Sequence, residues 1–172
     1  MTKVTKVIKN NNSKGFTLIE LVVVIIILAI IAVVAAPKFL NIKTDAVIAN
    51  LAGIEGSLKS ANTLVYSKSA IQGQEGLNSG LVDLDGQTVT TSFGYITPSK
   101  DNIEKIVEGA FDTITIADLN TPVTEDWGIF DLFGIVSIIV PRGYAFSDTC
   151  FIFYLVLPNA TEPTYTTNTS GC

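Results

Sequence analysis

The 172-residue chain has no histidine. That absence removes the side chain most often used as a general base and as a metal ligand. Cysteine is almost as scarce. Cys150 and Cys172 are the only two, too few for a thiolate metal centre in a chain without histidine. In an exported domain two cysteines form one disulfide, whereas in a reducing compartment they stay free. Serine, aspartate and lysine are present, but no nucleophile elbow surrounds them. No catalytic constellation is legible, and the chain does not read as an enzyme. Acid is missing locally too. Residues 1–15 hold Lys3, Lys6, Lys9 and Lys14 and no carboxylate, while the remainder carries seven bases against all sixteen acids. An acidic body argues against nucleic-acid binding, and a basic head suits a segment left on the cytoplasmic side of a membrane.

Apolar residues make up 48% of the chain and the mean hydropathy is +0.45. Much of this comes from one run. Leu21–Ala36 is apolar at every position. From Phe16 to Ala36 a helix would extend about 31 Å at ~1.5 Å per residue, which matches the hydrocarbon core of a bilayer. The run is rich in Val and Ile, but a lone strand cannot satisfy its backbone in lipid, so it reads as a helix. Pro37 is expected to kink that helix or delete one of its hydrogen bonds. An ordinary secretory signal cut after Val34-Ala35-Ala36 is the alternative. It leaves Glu20 and the amphipathic continuation unexplained.

Beyond Pro37 the pattern becomes one-sided. Phe39, Ile42, Ala46, Ala49, Leu51, Ile54, Leu58, Ala61, Leu64 and Val65 recur at three- and four-residue spacing. This predicts an amphipathic helix running to about Ile71, with Gly53 and Gly56 as weak points. From Ile71 to Lys100 the Gly-, Ser-, Thr- and Gln-rich chain reads as an irregular connection, with Leu81–Gly86 as a turn. Asp83-Leu84-Asp85-Gly86 lacks the further ligands of a calcium loop and reads as a solvated turn. Asp101–Glu108 is expected to be a short helix, with Asp101 as N-cap and Glu104 closing a capping box. Strands are expected at Phe111–Ile116, within Ile129–Val140, and at Phe151–Leu157, forming a small antiparallel sheet of three or four strands. The last fifteen residues read as a loop. Trp127 reads as core, and Tyr144 and Tyr165 are open between core and exposed contact. Asn159-Ala160-Thr161 and Asn168-Thr169-Ser170 fit the glycosylation pattern but read as unmodified loop. The fold class is α+β: a long N-terminal helix packed on a small antiparallel sheet.

Glu20 is the anomaly. A carboxylate at the edge of a membrane span is costly, and such residues are functional by default. It needs a cation, and its own helix offers none before Lys38. Lys14-Gly15-Phe16-Thr17-Leu18-Ile19-Glu20, followed by the apolar run, resembles the class III signal of type IV prepilins. The resemblance implies cleavage between Gly15 and Phe16 by a prepilin peptidase that also methylates the new amine of Phe16. It implies that Glu20 pairs with the amine of a neighbouring subunit, and that Pro37 marks the kink in the helix. It implies that Cys150 and Cys172 bound a disulfide-closed C-terminal loop. Asn41–Ala46, Ala61–Tyr66 and the Asp126-Trp127 pair resemble the mannose-sensitive haemagglutinin pilins. The implied organisation is a leader at 1–15, a transmembrane and filament-core helix at 16–36 and a globular head at 37–172. The implied partners are further copies of the chain, the peptidase, the pilus assembly machinery, the inner membrane before assembly, and a host or surface receptor. No cofactor or metal is expected. A type II secretion pseudopilin shares the same signal and is the runner-up.

Overall fold

The computed structural model describes residues 15–158 and 162–172, without the side chains of 39–41. The basic leader up to Lys14 and the tripeptide Asn159-Ala160-Thr161 lie outside it. The chain divides into two compact units, 1–42 and 43–172. Helix α1 runs Leu18–Ile71 and is assigned without a break through Pro37. The proline ring has no N–H, so the carbonyl of Val33 loses its regular donor there.

In the second unit, the later part of α1 buries Leu51, Ile54, Leu58, Asn62, Val65 and Ser69. That spacing of three and four keeps one face on the core. The expected stripe drifts from this one. Ile42 and Leu64 are exposed, and Asn62 takes a core position. The helix meets two sheets. The first is β1 (Gly80–Leu84), β2 (Gln87–Ser92) and β3 (Tyr95–Ile96), all antiparallel. It lies where an irregular connection is expected. Val82, Val89 and Ile96 are its buried apolar anchors, packed with Val65 of the helix and the half-buried Leu84, so its hydropathy signal is faint. Its two turns are each a pair of left-handed residues, Asp85-Gly86 and Phe93-Gly94, the type I′ geometry that matches strand twist.

The second sheet follows α2 (Lys100–Ile106). The N-cap of α2 is Ser99, whose hydroxyl accepts the Asn102 amide, and not Asp101. Asp101 lies inside the first turn and pairs with Lys105 at 2.7 Å. Strands β4 (Phe111–Thr113), β5 (Trp127–Leu132), β6 (Val136–Pro141), β7 (Phe151–Leu155) and β8 (Thr164–Asn168) then form five neighbours in sequence order. The sheet is larger than expected, and β4 runs parallel to β5. Alternation along β6 and β7 buries both faces. Ile139, Ile152 and Tyr154 face the core with Leu51, Ile54 and Leu58. Ile138 and Val140 join Ile114 and Val123 on the other face, under Phe130, Phe146, Phe151 and Phe153.

β8 replaces the expected terminal loop. Thr and Tyr fit a pleated, half-buried surface, and here polar contacts hold the strand. The Thr167 hydroxyl donates to Glu55 at 2.6 Å and Tyr165 accepts from Asn62 Nδ2 at 2.7 Å. The hydrogen bonds from Lys59 and Thr167 hold the Glu55 carboxyl below its usual pKa. Asn62 is a node. Its amide also donates to Tyr154 at 3.0 Å, and its carbonyl accepts the Ile96 amide at 3.0 Å. One buried side chain thus joins the helix to both sheets. Burial raises the Tyr154 phenol well above its ordinary value, and pushes Tyr165 up to about 12. Beyond β8, Cys172 is disulfide-bonded to Cys150, with 5.0 Å between Cα atoms. The Cys172 carbonyl accepts from Tyr144 at 2.9 Å and from Thr44 of α1 at 3.2 Å. Gly171 passes so close to Asp148 that an added Cβ would sit 1.6 Å from its carbonyl oxygen.

Candidate processing and assembly site

Gly15, Phe16 and Thr17 precede α1 and are not helical. An added Cβ at Gly15 would meet nothing within 4 Å, and Phe16 is 89% exposed. Nothing among the described residues requires glycine or phenylalanine at these positions. The Gly15–Phe16 bond lies in exposed, non-helical chain, the form a peptidase can take up.

The helix then starts in a defined way. Thr17 is the residue before the first helical position, and its carbonyl accepts the Leu21 amide at 3.3 Å. Its hydroxyl accepts the Glu20 amide at 3.2 Å, while Glu20 Oε2 accepts both the Thr17 amide and the Thr17 hydroxyl at 3.2 Å. This is a reciprocal capping box. It also places a carboxylate at the positive end of the helix dipole. The Thr17-Leu18-Ile19-Glu20 pattern carries this role in the sequence itself and gives Glu20 a local partner that is not a cation. Among the described residues no cation pairs with Glu20. Both Thr17 donors use Oε2, so Oε1 has no partner among them.

Downstream, the first unit covers almost nothing. Leu21, Val24, Ile27, Leu28, Ile31 and Val34 are each about half exposed or more. Among the described residues this is the one helix long and apolar enough to cross a membrane, and none of its most apolar window is buried. Contiguous apolar surface on this scale marks an interaction site.

The remaining candidates resolve into structure. Tyr144 and Tyr165 are half-buried and hydrogen-bonded, to Cys172 and Asn62 respectively. Trp127 packs against the main core. Asp83 accepts the Gly86 amide at 2.8 Å, and Asp85 pairs with Lys68 at 2.9 Å, so the acidic segment is a hairpin turn. No group of three metal-binding side chains occurs among the described residues.

Residues 10–36 match the family model described as the prokaryotic N-terminal methylation motif. No curated protein and no solved structure matches the chain. The match covers Gly15, Phe16 and Glu20 together with the whole apolar run through Ala36. It supports a prepilin-type signal followed by a membrane-anchored helix.

Proposed function

We propose that the chain is a structural subunit of a type IV pilus, an adhesive surface filament, of the mannose-sensitive haemagglutinin kind. The observation that carries this reading is a methylation motif joined to an apolar helix left uncovered among the described residues. A leader with four lysines stays cytoplasmic, and the helix waits in the inner membrane with the head outside. Cleavage after Gly15 and methylation of Phe16 create a charged amine at the start of the capping box. Extraction into a filament then exchanges lipid for the helices of other copies. That exchange yields little hydrophobic energy, because lipid is already apolar. Packing and the pairing of Glu20 Oε1 with a neighbour's amine supply register. A buried ion pair of this kind contributes specificity more than stability. The chain performs no catalysis in this reading, and its head meets the receptor or surface.

The test is the intact mass of the protein from sheared surface filaments, with and without reductant. A chain that starts at methylated Phe16 and gains two hydrogen atoms on reduction supports the proposal. A chain starting at Pro37, or retaining Met1, sinks it. Correct processing without surface filaments moves the assignment to a secretion pseudopilin.

A further inference from the structure

Three hairpin turns in the head place a non-glycine residue in the left-handed region, at Asp85, Phe93 and Phe133. The first two have a local reason. Asp85 is a turn-forming residue that pairs with Lys68, and Phe93 is half-buried. Phe133 has none. Its φ is +54°, it is followed by Gly134 at +67°, and the turn closes through Ile135 N–H to the Leu132 carbonyl at 3.0 Å. A bulky side chain is strained in that region, where Asn, Asp or Gly sits easily. Yet the ring is 93% exposed. Neither turn geometry nor burial within the chain accounts for phenylalanine here, and strain held at such a position points to function. The ring does not stand alone. Ile116 is 79% exposed, and with Ile114, Phe130, Leu132 and Phe133 it lines an apolar groove of about 540 Å³.

We propose that Phe133 is a docking knob that seats on the head of a second copy of this chain, in the groove that Ala61 and Leu64 of α1 form with Leu84 and Ile106. This rests on the pilus reading. That recess has a volume of about 410 Å³, and Leu64 on its wall is 58% exposed. Knob and recess share no lining residue. A contact between two different patches is head-to-tail, and repeated it builds a ring or an open filament rather than a closed pair, the filament being the form the pilus reading requires. Area selects the occupant. An aromatic side chain buries roughly 150–250 Å², so Phe133 with Ile116 and Leu132 falls short of the ~800 Å² per partner that holds a freestanding complex. Such a patch fits one of several contacts between copies that the apolar helix already brings together, where each weak contact repeats along the assembly.

Phe133→Asn separates docking from folding, because Asn tolerates the left-handed turn. In full-length protein in detergent, this variant is expected to melt at or above the wild-type temperature. In cells it is expected to yield at least about tenfold fewer filaments, with the survivors dissociating at lower temperature. Leu64→Gln, on the opposite side of the contact, is expected to give the same filament defect. A Phe133→Asn protein that melts below wild type assigns Phe133 to the head's own stability and overturns the proposal. Mutant filaments that equal wild type in yield and heat resistance, for either variant, also overturn it, whether or not their attachment to foreign surfaces changes. Failure of the wild-type chain to form filaments is a different result and removes the pilus reading itself.

Discussion

The two units of this chain handle apolar surface in opposite ways. In the head, Leu51, Leu58, Ile103, Ile129, Ile139 and Ile152 are fully buried, and a polar node at Asn62 has its partners. In the first unit, side chains of the same types stand 38–80% exposed from Leu18 to Val34, and the one carboxylate is held by its own N-cap threonine through Oε2 alone. One unit is complete within a single chain. The other is built from the same residue types and, among the described residues, leaves them uncovered. Hydrophobicity alone therefore does not distinguish core from interface. The head is set apart by two sheets that return to cover the helix.

The same substitution in each unit breaks the comparison most sharply. Leu58→Ala leaves a cavity in a packed core and is expected to destabilise the head by about 2–5 kcal/mol. Leu28→Ala, at a position 57% exposed, is expected to change head unfolding by less than about 0.5 kcal/mol. Urea unfolding of the full chain in detergent, followed through the signal of Trp127, reads both. Equal losses would mean that the two units are not independent. Next in size, the Cys150–Cys172 bond closes a loop with a sequence separation of 22. Replacing both cysteines with serine is expected to cost about 3 kcal/mol, from the restored freedom of the unfolded chain. A loss confined to the head, measured in the same urea experiment, sharpens the contrast.

The smallest effect lies at alkaline pH. Burial raises Tyr154 and Tyr165 above their ordinary value of 10.0, the latter to about 12. A raised pKa in the fold means the contribution is intact below the unfolded value and is lost as pH rises through the folded one. Head stability is therefore expected to hold up to about pH 10 and to fall above it. Tyr165→Phe should flatten part of that fall, because the phenol no longer titrates. A pH series of thermal melts checks this, and an equal fall in the variant removes Tyr165 from the account.

Legibility followed the same division. The membrane helix, the Leu51-Ile54-Leu58-Val65 stripe and the strand at Phe151 are all carried by apolar side chains, and periodicity finds them. What escaped is held by polar contacts. β8 is tied down by Thr167 and Tyr165 on Glu55 and Asn62, which no hydropathy pattern records. β1 and β2 alternate with Thr, Gln and Asp, so only the Asp85-Gly86 pair announced the hairpin, and it reads equally as a solvated turn. Asn62 and Ser69 continue the buried stripe where Ala61 and Leu64 look better. The parallel pairing of β4 with β5 has no local signal at all. At the candidate site the motif was plain. The capping box at Thr17 was equally plain, but it is a local reason for Glu20, and a charge at a membrane edge invites a distant one.

The clasp beyond β8 bears on how the head resists being pulled apart. A strand pulled from its free end unzips, and its ladder bonds fail one after another. The end of β8 is not free. Cys172 is covalently joined to the residue preceding β7, and its carbonyl receives the Thr44 hydroxyl from the helix. A pull on the Thr44–Cys172 contact therefore meets β7 and β8 as a closed ring, whose five paired positions from Phe151↔Asn168 to Leu155↔Thr164 have no loose end at Asn168 from which to part. A head joined in this way behaves as a closed link rather than as a seam that can be opened from one edge.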